Sequence, residues 1–141
     1  MQKRIAWIFL LFLSGCSSCE KTNGSFAPES LDGKTIHATA IDATGGFAET
    51  MAPGYTFDTT LAGDKTFKTA STGKAADSSG TFTYVRVDAQ SGKLKLTDTS
   101  ALHKGEVIEV TLTFTSPKLG DYSVHVLNGQ SGEQSGTFEL R

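Results

Sequence analysis

Apolar and polar residues alternate with a period of two over most of the chain beyond residue 33. The clearest run is Val107–Thr115. Ile108, Val110, Leu112 and Phe114 fall on one side of it, and Glu109, Thr111, Thr113 and Thr115 on the other. A helix would scatter these residues around its circumference, whereas a strand sorts them onto two faces. The same alternation marks Thr35–Ala43, Tyr55–Leu61, Lys65–Thr69, Thr81–Asp88, Lys93–Thr97, Tyr122–Leu127 and Thr137–Leu140. Eight short strands at this density predict an all-β sandwich or barrel.

The connections favour hairpins. Ala62-Gly63-Asp64, Ala89-Gln90-Ser91-Gly92 and Pro117-Lys118-Leu119-Gly120 are short loops with a glycine near the exit. A small unit recurs at Gly80-Thr81-Phe82, Gly120-Asp121-Tyr122 and Gly136-Thr137-Phe138. It reads as a turn-ending glycine with positive φ, followed by the first inward aromatic of the next strand. Successive hairpins pair each strand with its neighbour, and closing the sheet removes both free edges. Ile36, Ala38 and Ala40 are small inward residues that would sit opposite Phe138 and Leu140 at the seam. The expected fold is thus an eight-stranded antiparallel up-and-down barrel.

In size and meander pattern, residues 33–141 resemble the calycin-type barrels, the class of lipocalins, fatty-acid-binding proteins and avidins. They lack the Gly-x-Trp that lipocalins carry on the first strand. The resemblance implies an interior either filled by side chains or holding one small ligand. An alternative fold is an immunoglobulin-like β-sandwich. Gly120-Asp121-Tyr122-Ser123-Val124-His125-Val126 resembles the end of such a domain, although the chain has neither the core Trp nor the Cys pair.

The first residues have a different character. Lys3 and Arg4 precede an apolar run, Ile5–Leu13, which is shorter than the roughly 20 residues that cross a bilayer. Leu13-Ser14-Gly15-Cys16 follows directly. This resembles the lipobox of bacterial lipoprotein precursors. The resemblance implies cleavage before Cys16 and a diacylglycerol on its thiol. Residues 1–15 are then the signal peptide, 16–32 a flexible polar tether and 33–141 the barrel domain. Ser17, where an Asp would favour inner-membrane retention, points to the outer membrane. With Cys16 lipidated, Cys19 has no intrachain partner and reads as a solvated tether residue.

Charge and chemistry narrow the function. Losing Lys3 and Arg4 with the signal takes the 13 basic residues to 11 against 15 acidic ones, a net charge near −4. That balance argues against a nucleic-acid partner. The sequence has no nucleophile elbow, zinc-protease helix, calcium loop or phosphate cradle, so no cofactor, metal or catalytic residue is assigned. His37, His103 and His125 read as surface residues, and Glu49, Asp58 and Glu109 as solvated carboxylates. Arg86 falls on the inward phase after Phe82 and Tyr84. There it needs a polar partner or ligand, unless it ends the strand and reaches out to water. Val85 and Val87 fall on the outward phase, as an apolar contact patch or the mark of a bulge. Tyr55, Phe57, Phe67, Phe82, Tyr84, Phe114, Tyr122 and Phe138 all fall inward, enough to fill a small barrel. The expected function is that of a non-catalytic, lipid-anchored envelope protein whose β-domain contacts a protein or a glycan. The alternatives are a small apolar-ligand carrier and an envelope enzyme inhibitor.

Mass spectrometry of the mature N-terminus is expected to find diacylglycerol on Cys16, and an unmodified chain beginning elsewhere would refute the assignment. Cys16→Ser should leave the precursor uncleaved or release the protein from the membrane, because one residue carries the whole anchor.

Overall fold

Each of eight antiparallel strands pairs with its neighbour in sequence, and the last pairs with the first. The strands are β1 (Lys34–Ala43), β2 (Thr56–Leu61), β3 (Thr66–Ser71), β4 (Ser78–Arg86), β5 (Ser91–Asp98), β6 (Val107–Phe114), β7 (Leu119–Asn128) and β8 (Glu133–Leu140). One short helix, α1 (Gly46–Thr50), lies between β1 and β2. The computed structural model describes residues 24–129 and 131–141. Residues 1–15, read from the sequence as a signal peptide, and Cys16 and Cys19 lie outside the described residues. The closed barrel bears out the up-and-down reading and removes the immunoglobulin-like alternative, whose two sheets would not close.

The seam has the register that side-chain size dictates. Ile36 pairs with Leu140, Ala38 with Phe138 and Ala40 with Gly136. Small residues on β1 leave room for the large ones on β8, and a bulge between Ala40 and Asp42 shifts the register of the last two pairs, Asp42–Ser135 and Ala43–Gln134. Inward positions are buried along the strands, as in β6, where Val110, Leu112 and Phe114 are core residues.

The recurring glycines do not act as expected. Gly80, Gly120 and Gly136 lie inside β4, β7 and β8, and none has positive φ. They are inward strand positions that pair with aromatics: Gly80 with Phe67, Gly120 with Phe138 and Gly136 with Tyr122. A Cβ on Gly136 would lie 1.9 Å from the Thr39 carbonyl oxygen and 2.8 Å from the Tyr122 ring. Glycine here lets the sheet curve tightly while an aromatic covers the gap, as strand glycines do at barrel bends. β8 begins at Glu133, four residues before the alternation is readable, because its first inward positions are Gln134 and Gly136 rather than apolar side chains.

One end of the barrel is sealed. Phe114 and Phe138 meet edge to face at 5.1 Å, with Phe82, Leu61 and Leu140 buried in the same core. The chain before β1 completes the seal. Leu31 is fully buried and Ala27 nearly so. The backbone N–H groups of Phe26 and Ala27 both donate to the Ala89 carbonyl, and that of Gly33 to Leu61. The Lys65 ammonium pairs with Asp32 at 2.5 Å. Residues 24–32, assigned from the sequence to the tether, are therefore packed chain. Two apolar residues without period, Ala27 and Leu31, gave no pattern to read, and only the open barrel end supplies their partners.

Phe114→Ala should cost about 3–5 kcal/mol through lost burial and a cavity, whereas Thr113→Ala on the opposite face should stay within about 0.5 kcal/mol. Gly136→Ala should cost about 1–3 kcal/mol despite adding only a methyl, because backbone and ring must both shift. Urea denaturation measures all three. Equal costs at positions 113 and 114 would refute the register.

Candidate functional site

The interior is not filled. A cavity of about 430 Å³ occupies the half of the barrel away from the seal. The expectation of a filled interior failed on distribution rather than on the amount of aromatic residue. Phe82, Phe114 and Phe138 gather at the sealed end, and Tyr55 lies against Gly73 outside the cavity lining. The other half is walled mainly by Ala38, Leu94, Leu96, Ile108, Val110 and Val124, with the rings of Phe57, Phe67 and Tyr122 among them. Aliphatic side chains of this size do not reach across an eight-stranded barrel.

The mouth is formed by the β1–β2, β3–β4 and β5–β6 connections, which contribute Phe47, Met51, Lys74, Leu102 and His103 to the lining. The helix α1 is strapped over it from both sides. The Gly46 N–H donates to the Ser131 carbonyl at 3.1 Å, and the Lys74 N–H to that of Thr50 at 3.0 Å. Two glycines permit this approach. A Cβ on Gly45, whose φ is +58°, would lie 2.4 Å from the Ser131 oxygen, and one on Gly73 would lie 2.6 Å from the Thr50 oxygen. Sequence reasoning missed Phe47 and Met51 because five helical residues leave no period to detect. The glycines at 45 and 46 were the available signal.

Few polar groups interrupt the apolar wall. Thr59 and Thr69 satisfy each other at 2.9 Å. Gln134 is buried and donates to the Met51 carbonyl at 3.1 Å. The Asp98 carboxylate accepts the Ser100 N–H at 2.6 Å. Tyr122 is only 4 % exposed, and its hydroxyl has no hydrogen-bond partner. Burial pushes the ionisation of that phenol well above the ordinary tyrosine range.

The residues singled out in the sequence lie elsewhere. Arg86 ends β4 at the sealed end, where its guanidinium pairs with Glu29 and Ser25 and donates to the Asp88 carbonyl at 2.9 Å. It reaches out of the strand to clamp the packed N-terminal chain, and it does not line the cavity. Val85 and Val87 point outward at 63 % and 57 % exposure. The β4–β5 register runs unbroken through Val85, so no bulge explains them. The histidines stay separate, each matched to its own carboxylate: His37 to Asp58 at 2.6 Å, His103 to Glu106 at 3.1 Å and His125 to Glu133 at 3.6 Å. Glu109 pairs with Lys93 at 2.7 Å, away from Asp58. No cluster suited to a metal occurs among the described residues.

Tyr122→Phe should leave stability at neutral pH unchanged or raised, because it deletes a buried hydroxyl that bonds to nothing. It should also alter the alkaline limit. The folded chain holds the phenol neutral, while the unfolded chain ionises near pH 10. The stabilisation from a raised pKa is complete below about pH 10 and is lost as pH rises further. Denaturation midpoints of the Phe variant should therefore fall less steeply above that pH than those of the parent. Tyr84, raised in the same direction by its own burial, keeps some of the decline in both.

Comparison with protein-family models, curated proteins and solved structures gave no match, so the site is read from its own geometry.

Proposed function

We propose that this protein is a lipid-anchored, non-catalytic envelope protein whose barrel holds one small apolar molecule. The anchor and the envelope location rest on Leu13-Ser14-Gly15-Cys16. The binding reading rests on one observation, the apolar cavity of about 430 Å³ that opens at the α1 end. Its size lies within the range of small-molecule sites, and its few polar groups suit orientation of a ligand more than bond chemistry.

A well-packed domain of this size has little reason to keep such a void. Filling it with side chains would add contacts and stability. The asymmetry of the ends supports the same reading. One is sealed by aromatics and packed chain, while the other is framed by loops and a one-turn helix able to admit a solute. Contact with an envelope protein or glycan is the second reading, and it draws on the exposed pair Val85 and Val87. These valines lie at the sealed end, and two side chains make a small patch.

An apolar fluorescent probe should bind saturably at one site per chain. Ile108→Trp, which places an indole in the cavity, should weaken that binding more than tenfold without lowering the unfolding midpoint. Val85→Ser should leave it unchanged. Absence of saturable binding, or equal binding by Ile108→Trp, would overturn the cavity reading.

A further inference from the structure

Charge is concentrated at one place on the cavity rim. Asp98 ends β5 and meets Glu106, the residue just before β6. The Asp98 N–H donates to the Glu106 carbonyl at 2.8 Å, continuing the ladder beyond the Thr97–Val107 pair. Both side chains line the cavity. Cross-strand partners on one face stand close together, so the two residues border one corner of the mouth, with the Glu106 carboxylate beside His103 and Gly129.

Asp98 is only 8 % exposed. Its one hydrogen bond comes from a backbone N–H, and no cationic side chain pairs with it among the described residues. Glu106 has His103 beside it. Two carboxylates thus share at most one positive charge, and the more buried of them has none. Withdrawing a carboxylate from water without a counter-charge is costly. The cavity that it borders offers the place for a ligand's charge. The Tyr122 ring belongs to the wall further in, on β7, but its hydroxyl is buried against protein and does not face the cavity. Lys74 lies on the β3–β4 side of the mouth, but it is exposed and keeps its own hydration.

We propose, on the reading that the cavity is the binding site, that its ligand is an amphiphilic amine. The protonated amine sits against Asp98 and Glu106, and the apolar body lies among Leu94, Leu96, Ile108 and Val110. The volume admits roughly 14 groups the size of a water molecule, which sets the scale of the body.

Calorimetric titration of the full barrel with decylamine, decanol and decanoate tests this. The three share one chain and differ only in the head group. Decylamine should bind about tenfold or more tightly than decanol, the gain expected of a charge-assisted hydrogen bond in a partly dry site. Asp98→Asn keeps the oxygen that accepts the Ser100 N–H. It should erase the amine preference while leaving decanol binding intact. Glu106→Gln should reduce the preference in the same direction, and it serves as the test if Asp98→Asn does not fold. Equal binding of all three by the parent overturns the amine assignment and leaves the apolar-cavity reading standing. Preference for decanoate, lost in Lys74→Ala, overturns it with the opposite charge. Failure of all three to bind removes both the assignment and the reading beneath it.

Discussion

Closure of β1 on β8 is the constraint from which the rest follows. Eight amphipathic strands laid open would leave two unpaired edges and an uncovered apolar face. Closing them forces tight curvature, and curvature forces small residues at particular inward positions. Ala38 opposite Phe138, Ala40 opposite Gly136 and Gly136 opposite Tyr122 meet that demand together. Each glycine gives up a side chain so that an aromatic from the next strand can lie across it. The seam and the hairpins on either side therefore share one mechanism.

That mechanism also decides where the interior is full. Phe82, Phe114 and Phe138 lie toward one end, and with Leu31 and Ala27 from the packed N-terminal chain they form a dry plug. Arg86 ties the outside of this plug through Glu29 and Ser25. An exposed ion pair adds little by itself, so the clamp orders the segment more than it stabilises the fold. Above the plug the wall is aliphatic and the centre is empty. The division gives the barrel a filled half and a hollow half. The chain before β1 packs against the filled end, away from the cavity.

Each half keeps a buried hydroxyl without a partner, Tyr84 toward the sealed end and Tyr122 in the cavity wall, and the cavity rim adds the buried carboxylate of Asp98. An unpartnered buried hydroxyl typically costs about 1–3 kcal/mol, and a buried carboxylate without a cation costs more. Tyr122 and Asp98 both line the cavity. Thr59 and Thr69, in the same wall, satisfy each other. The contrast separates polar groups that the fold itself pairs from polar groups that it leaves without a partner. The strap formed by α1, tied to two neighbouring loops through backbone hydrogen bonds, frames the mouth without closing it.

Alternation alone determined the strand set, the antiparallel meander and the seam, because a period of two is a local property that closure then had to respect. Ile36, Ala38 and Ala40 could be placed against Phe138 and Leu140 from side-chain size. The cavity was not legible in this way. Composition counts aromatics, but whether they fill a barrel depends on their height along its axis, which strand stagger fixes and no single segment records. The packing of Leu31, the release of Arg86 from the interior and the meeting of Asp98 with Glu106 likewise join residues distant in sequence. Such contacts exist only once the sheet has closed, and the tertiary structure alone decides them.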